Sequence, residues 1–309
     1  YVINGNDQLE EINNAIRFQQ IHLVMPIAEE MSKFLITNKN SLDRRAKLML
    51  LPDLKSYSIA TNKKHLYNHL ISNNLPTPKS QVINALPREL VTEISFPVLV
   101  KPLDLKGGEG ILKFNCEKDL ENYMLFRTES DELLIQEYID GFDIDCSVLC
   151  ENGQILTYTI QEDYLSSNNP YAPQLGVSFV NNKDVLSVVS KVLKSLSWSG
   201  IAHIDLRFDR TQKNYKIIEI NGRFWGSTEA SKAAGVNFPL EIINKSLGFS
   251  LSKSNYKNLI YIKHKGLFKK PFKLFNFNFM RNNTDLCDVC QDPLPTLFRL
   301  KEWILRKLP

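Results

Sequence analysis

The sequence predicts an α+β protein in which a short α/β unit leads into a long stretch of antiparallel strands. Three observations predict this. "IHLVMP" (residues 21–26) followed by "IAEEMSKFL" reads as a buried strand feeding a helix. From Val82 onward, short apolar runs are separated by turn residues, including Asn152-Gly153, a strong hairpin signal. In "HIDLRFDRTQKNYKIIEINGR", His203, Asp205, Arg207 and Asp209 alternate with Ile204, Leu206 and Phe208, the period-2 pattern of a strand.

The 309 residues, 43% hydrophobic and 23% charged, can bury two or three cores. A net charge of +4 is too mild to imply nucleic-acid binding by itself. No apolar run approaches the ~20 residues of a membrane span. The five cysteines, odd in number and without framework spacing, fit a reducing cytoplasm, where we expect the protein to reside. Cys287 and Cys290 form one CxxC, but no second pair completes a four-ligand zinc site. The chain opens at Tyr1 without an initiator Met, and the α/β unit starts abruptly, so the expectation is that sequence precedes it.

Taken in order, "ATNKKHLYNHLISNNLPTP" reads as a linker helix with Thr61 as N-cap and Pro76 and Pro78 as its stop. His65 and His69 lie one turn apart on it, but without HExxH they read as surface residues. "FPVLVKP" and "ILKFN" are strands joined by the glycine-rich "LDLKGGEG", followed by a helix over "EKDLENYMLF" and a strand in "ELLIQEYI". The strands "DIDCSVLC" and "QILTYTIQE" form the Asn152-Gly153 hairpin. A polar segment over residues 163–182 is expected to be a long loop above a site. The next helix carries Val185, Val188, Val189, Val192, Leu193 and Leu196 on one face and stops near Gly200.

The chemistry gathers on two of these elements. If "RTQKN" turns one strand back on the next, Asp205 lies opposite Glu219 and His203 opposite Asn221. Opposed carboxylates repel unless a divalent cation sits between them, and such oxygens suit Mg²⁺; a solvated sheet face is the alternative. Lys101 ends a strand just before Gly107, Gly108 and Gly110, whose flexible backbone could lay N–H groups over phosphates. This is no Walker A loop, since GxxxxGK[ST] is missing, and glycines are common in hairpins.

The order of these segments resembles the ATP-grasp superfamily. "ATNKKHL", "FPVLVKPLDLKGGEG", "IQEYIDGFD", "HIDLRFD" and "IIEINGRFWGS" match its elements over about residues 61–239, and "NGRFWGS" resembles the carboxylate-amine ligases of the carbamoyl-phosphate-synthetase and biotin-carboxylase-like branch. The resemblance implies an ATP-grasp fold of two lobes after a partial α/β (pre-ATP-grasp) domain. The implied units are residues 1–60 (partial α/β), 61–81 (linker helix), 82–140 (N-lobe), 141–248 (C-lobe) and 249–309 (basic C-terminal extension). It further implies that Lys63 and Lys101 contact the ATP phosphates under the loop of Lys106, Gly107, Gly108 and Gly110. Gln136, Glu137 and Ile139 would hold the adenine edge and Asp143 the ribose. Asp205, Glu219 and Asn221 would hold Mg²⁺, with Mn²⁺ as an alternative, and Arg223, with Lys101, would act on the transferring phosphoryl group. Asp143 and Asp205 stand where the family commonly has Glu, and Asn62 where it commonly has Asp.

The implied activity is ATP-dependent joining of a small carboxylate to an amine through an acyl phosphate. The alternatives are a nucleotide-binding module without catalysis, or a protein that binds nucleic acid or a membrane surface through its basic tail. Between Glu241 and Asp285 there is no acid, while nine Lys and Arg interleave with aromatics, and "LPTLFRLKEWILRKLP" reads as a basic amphipathic helix. An anionic partner or membrane surface would fit that tail; a solvated basic face over a small core is the plainer account, and nucleic acid is not expected. A homodimer is a further expectation from the resemblance.

Overall fold

The computed structural model describes residues 7–83, 94–103, 105, 107–126, 132–169, 171–252 and 255–305. An N-terminal α/β unit comes first: α1 (Gln8–Phe18), β1 (Leu23–Val24), α2 (Glu29–Thr37) and β2 (Lys47–Leu48), with β1 and β2 paired in parallel. Asp7 caps α1 by accepting from the Glu10 N–H, and Ile12, Ile16, Leu35 and Leu42 close a small core. Two helices follow, α3 (Leu54–Ala60) and α4 (Lys63–Ser72). Thr61, expected to cap α4, instead closes α3, its N–H bonding the Tyr57 carbonyl. The cap of α4 is Asn62, whose side chain accepts from His65 N–H. The reason is that residues 54–60 form their own helix, so the start of α4 moves one residue on.

A four-stranded antiparallel sheet contains β3 (Ser80–Ile83), β4 (Val98–Pro102), β5 (Leu112–Phe114) and β6 (Leu133–Glu137), in the order β3-β6-β4-β5. One face is covered by α5 (Glu117–Phe126), whose Leu120 and Met124 pack on Val98, Val100, Leu133 and Ile135.

The second sheet has six strands, all antiparallel: β7 (Gly141–Glu151), β8 (Gln154–Leu165), β9 (Gly176–Phe179), β10 (Gly200–Asp209), β11 (Asn214–Asn221) and β12 (Ile260–Ile262), ordered β11-β10-β7-β8-β9-β12. Asn152 and Gly153 turn β7 into β8 with φ of 48° and 79°, as a type I′ hairpin requires. Helix α6 (Lys183–Ser195) lays Val185, Val189, Val192 and Leu193 on Ile144, Cys146 and Val148 of the sheet. The same core takes in Tyr57 of α3, which stacks on the fully buried Trp198 at 6.3 Å, so the α3–α4 pair is welded to this sheet. After α7 (Thr228–Ala234), helix α8 (Phe238–Leu247) packs Phe238 and Ile242 against Leu149, Ile201 and Trp225.

Two expectations change here. The polar segment 163–182 is not all loop, because β8 runs on to Leu165 and Gly176–Phe179 pairs with it as β9, leaving residues 166–175 as the connection. The span expected as a separate basic extension contributes β12, which covers the open edge of β9. A strand edge left bare exposes unpaired backbone groups, and three residues of "LIYIK" satisfy them. Four short helices complete the described chain: α9 (His264–Leu267), α10 (Phe277–Asn282), α11 (Leu286–Gln291) and α12 (Leu294–Leu305). Among the described residues, no helix is long and apolar enough to cross a membrane.

Candidate active site

The antiparallel ladders set the site. Asp205 pairs with Glu219 on one side and with Asp145 on the other, and Asp145 pairs with Gln161. Glu219, Asp205, Asp145 and Gln161 therefore form one row across four strands. One step along, Asn221, His203, Ser147 and Thr159 form the next. The first row, with Asn221 and His203 of the second, borders a cavity of about 590 Å³ between the two sheets, whose opposite wall carries Lys63, Lys101, Gly107 and Gly108.

The acids crowd one another. Burial raises Asp145 to about 7, against the hydrogen bond from Gln161, and Asp163 and Asp143 push it the same way. Asp205 is raised well above the usual carboxylate range, first by burial and then by the charges of Asp145, Glu219 and Asp143. Its Oδ1 is buried without a hydrogen-bond partner, while Oδ2 accepts a long 3.4 Å bond from Asn221 Nδ2. His203 lies 3.3 Å from that Oδ1, but burial and the Arg223 charge drive its pKa down to about 3, so the ring is neutral and shares Nδ1 with Ser147 Oγ at 2.9 Å. Asp145, His203 and Asp205 offer ligand atoms all within 4.8 Å of one another. An uncompensated row of hard oxygens with an orphaned buried oxygen fits a divalent cation.

Across the cavity, Lys101 is buried and donates to Gln136 Oε1 at 2.7 Å; burial lowers its pKa to about 8, the Glu219 charge opposing. Lys63, at the first turn of α4, donates to the Leu103 and Leu105 carbonyls at 3.1 and 2.8 Å and so holds the start of the glycine-rich loop. Gly107, Gly108 and Gly110 all have positive φ (66°, 80° and 72°), a conformation that side chains resist. Lys106 lies outside the described residues.

The other expected residues reach the cavity but are partly committed elsewhere. The Gln136 side chain bridges Lys101 and Ser80 Oγ. The Glu137 N–H bonds the Lys79 carbonyl, and its carboxylate takes the Lys216 ammonium at 2.7 Å. The Ile139 carbonyl accepts from Arg207 Nε, and Asp143 is paired with Arg207 at 2.5 Å. Arg223 donates to the Phe224 carbonyl and, at 3.4 Å, to Asn221 Oδ1, and lies 3.9 Å from Glu29 of α2, so the N-terminal unit touches the site.

Several residues were missed from sequence. Asp145 was legible, since "DIDCS" puts residues 143, 145 and 147 on one strand face. Gln161 and Lys263 line the same cavity, and only strand pairing and chain return bring them there; Trp225, two residues past Arg223 in "NGRFWGS", lines it too.

A family model described as the ATP-grasp domain matches residues 60–227. Carbamoyl-phosphate synthase of Methanobrevibacter smithii is 28% identical over 194 residues, 60% of this chain and 51% of that protein. Among solved structures, L-amino acid ligase from Bacillus licheniformis is similar with a TM-score of 0.60 at 19% identity, over 78% of this chain and 59% of that one. The biotin carboxylase domain dimer of Hydrogenobacter thermophilus 2-oxoglutarate carboxylase, in complex with MgADP, ADP and bicarbonate, is similar with a TM-score of 0.65 at 17% identity, over 85% and 63%. The chain thus spans about half the length of the first of these relatives.

Proposed function

The chain belongs to the ATP-grasp family, and from that premise we propose that it is an ATP- and Mg²⁺-dependent ligase joining a carboxylate to an amine, with ADP and phosphate as products. The observation that carries this reading is the opposition of two charged walls. Lys63 and Lys101 face the row Glu219, Asp205 and Asp145 across one cavity, which Arg223 also lines.

A carboxylate does not react with an amine directly, because oxide is a poor leaving group. In the proposed sequence a carboxylate oxygen attacks the γ-phosphorus of ATP, the bond to the β-phosphate oxygen breaks, and ADP departs. The amine then attacks the acyl carbon, its proton is lost, and phosphate leaves. The protein's part is to position charge rather than to form a covalent intermediate. Lys63 and Lys101 would bind the phosphates, and the positive-φ backbone of Gly107 and Gly108 would fold over them. Mg²⁺, or Mn²⁺, held by Asp205, Glu219 and Asn221, would neutralise phosphate charge. Arg223 would steady the transferring group, its guanidinium oriented by Asn221 and the Phe224 carbonyl. The adenine would lie along residues 136–139 and the ribose by Asp143.

The test is ADP release by the purified chain with Mg²⁺ and ATP, across pools of carboxylates and amines. Release that requires one member of each pool supports the ligase. Tight ATP binding with no turnover in any pool would instead favour a nucleotide-binding module.

A further inference from the structure

Among the described residues, four buried side-chain atoms lack a hydrogen-bond partner: Gln161 Oε1, Gln174 Oε1, Asp205 Oδ1 and Trp225 Nε1. All four residues line the one cavity. A buried polar atom left unpaired is costly, so four around one space mark where a ligand completes the bonding. Asp205 is accounted for by the proposed cation. The others are not.

They belong to one patch, and its parts are linked by contact. Gln161 Nε2 donates to Asp145 Oδ2 at 3.1 Å and to Ser227 Oγ at 2.9 Å. With Asp145 ionised, its carboxylate accepts only from the amide nitrogen, which orients the Gln161 amide and leaves its oxygen as the free acceptor. The Trp225 ring stacks on His203 at 5.2 Å and 8°, beside Asp205. Lys263 closes the far side: its N–H bonds the Leu175 carbonyl, next to Gln174, and a Cβ on Gly226 would lie 3.4 Å from its Nζ. The Lys263 ammonium has no hydrogen-bond or ion-pair partner among the described residues, and burial lowers its pKa despite the Asp285 charge.

The patch thus has two signs. Gln161 Oε1, beside Asp145, asks for a donor, while the Lys263 ammonium and the Trp225 N–H ask for an anion. We propose that this patch is the subsite for an α-amino acid, whose carboxylate lies against Lys263 and Trp225 Nε1 and whose ammonium lies against Gln161 Oε1. This rests on the ligase reading, for which the amino acid is one of the two substrates joined. A plain amine would leave Lys263 and Trp225 unpaired, and a plain carboxylate would leave Gln161 unpaired. A site that hydrogen-bonds a ligand group discriminates strongly against analogues lacking it.

The experiment is calorimetric titration of the 309-residue chain with each of the twenty proteinogenic L-amino acids, with and without Mg²⁺ and a non-hydrolysable ATP analogue. For an amino acid that binds, the matched decarboxylated amine and the matched 2-hydroxy acid are titrated too. The expected result is binding of at least one amino acid, at least about tenfold tighter than both analogues. Lys263→Met should lose at least about tenfold in amino-acid affinity, and Gln161→Met should lose as much. Nucleotide affinity of each variant reports that it is folded. The proposal is overturned if none of the twenty binds, which is also the result expected of a water-filled patch. It is equally overturned if amine or hydroxy acid binds as well as the amino acid, or if folded Lys263→Met binds as the parent does. Failure of the nucleotide to bind would refute the ligase reading instead, and the nucleotide-free titrations would still decide the subsite.

Discussion

Asp205 and Glu219 face each other as the last regular pair of β10 and β11 before a β-bulge, beyond which Leu206 pairs with Ile217. The bulge ends the in-register run at the acidic pair, and bulges commonly re-aim side chains at functional sites. Nothing in the pair itself neutralises the two carboxylates, which is why the metal assignment centres on them.

Glu219→Gln keeps the shape and removes the charge. ADP release should fall by at least about 100-fold, while thermal melting followed by circular dichroism shifts little. Chelating the divalent cation should abolish turnover in the parent, and Mg²⁺ or Mn²⁺ should restore it. Turnover near the parental rate in Glu219→Gln would refute the assignment.

Lys101 gives a pH signature with two opposite signs. Its folded pKa, about 8, lies below the ordinary 10.5. Burying its charge disfavours the folded state fully below about 8, and this penalty fades as pH rises from about 8 toward 10.5. Stability from this group therefore rises in that window. ATP affinity should fall in the same window, by about tenfold per pH unit, because phosphate needs the ammonium. Lys101→Met should flatten both trends, as measured by denaturant melts and nucleotide titration at pH 7 to 10.

Neighbouring glycines should behave differently. A Cβ at Gly107 meets nothing within 4 Å, whereas one at Gly108 would sit 1.9 Å from the Tyr171 carbonyl oxygen. Gly107→Ala bears only the strain of positive φ, about 1–2 kcal/mol. Gly108→Ala must also push the loop off Tyr171. The KM for ATP should rise at least about tenfold more in Gly108→Ala than in Gly107→Ala, and equal effects would show that the contact is irrelevant to the nucleotide.

Lys216 is a buried tie between the sheets, its ammonium 2.7 Å from Glu137 of β6 and 3.1 Å from Asp209 of β10. Burial pushes the Asp209 carboxyl up, but the Gln212 N–H, the Lys216 ammonium and the Thr211 N–H outweigh it, so its pKa is lowered. Its contribution to stability is present above the usual 3.8 and is lost as pH falls through the depressed value. Lys216→Met removes the cation between two partly buried carboxylates, which among the described residues keep only backbone N–H bonds, and should cost about 3 kcal/mol, read as an earlier denaturant midpoint. An unchanged midpoint would show that the tie is not structural.

Much of this site was legible because strand chemistry is periodic. The alternation in "HIDLRFD" and "IIEIN" set which side chains share a face, but the "RTQKN" turn by itself leaves the register one residue short, and the bulge between Asp205 and Leu206 is what brings Asp205 opposite Glu219. Asn152-Gly153 fixed its hairpin through two left-handed residues. Thr61 failed as a cap because capping depends on where the preceding helix stops, which its own sequence signals weakly.

The sequence by itself determined the alternating strands, the glycine loop and the order of segments that mark the family, since all depend on neighbours within a few residues. Tertiary structure alone decided the rest. Asp145 joins Asp205 only through the β7–β10 ladder. Lys263 reaches Gly226 only because β12 returns to the edge of β9, and Lys216 finds Glu137 only when the two sheets meet. Contacts between residues distant in sequence depend on sheet order, and no local spacing encodes that.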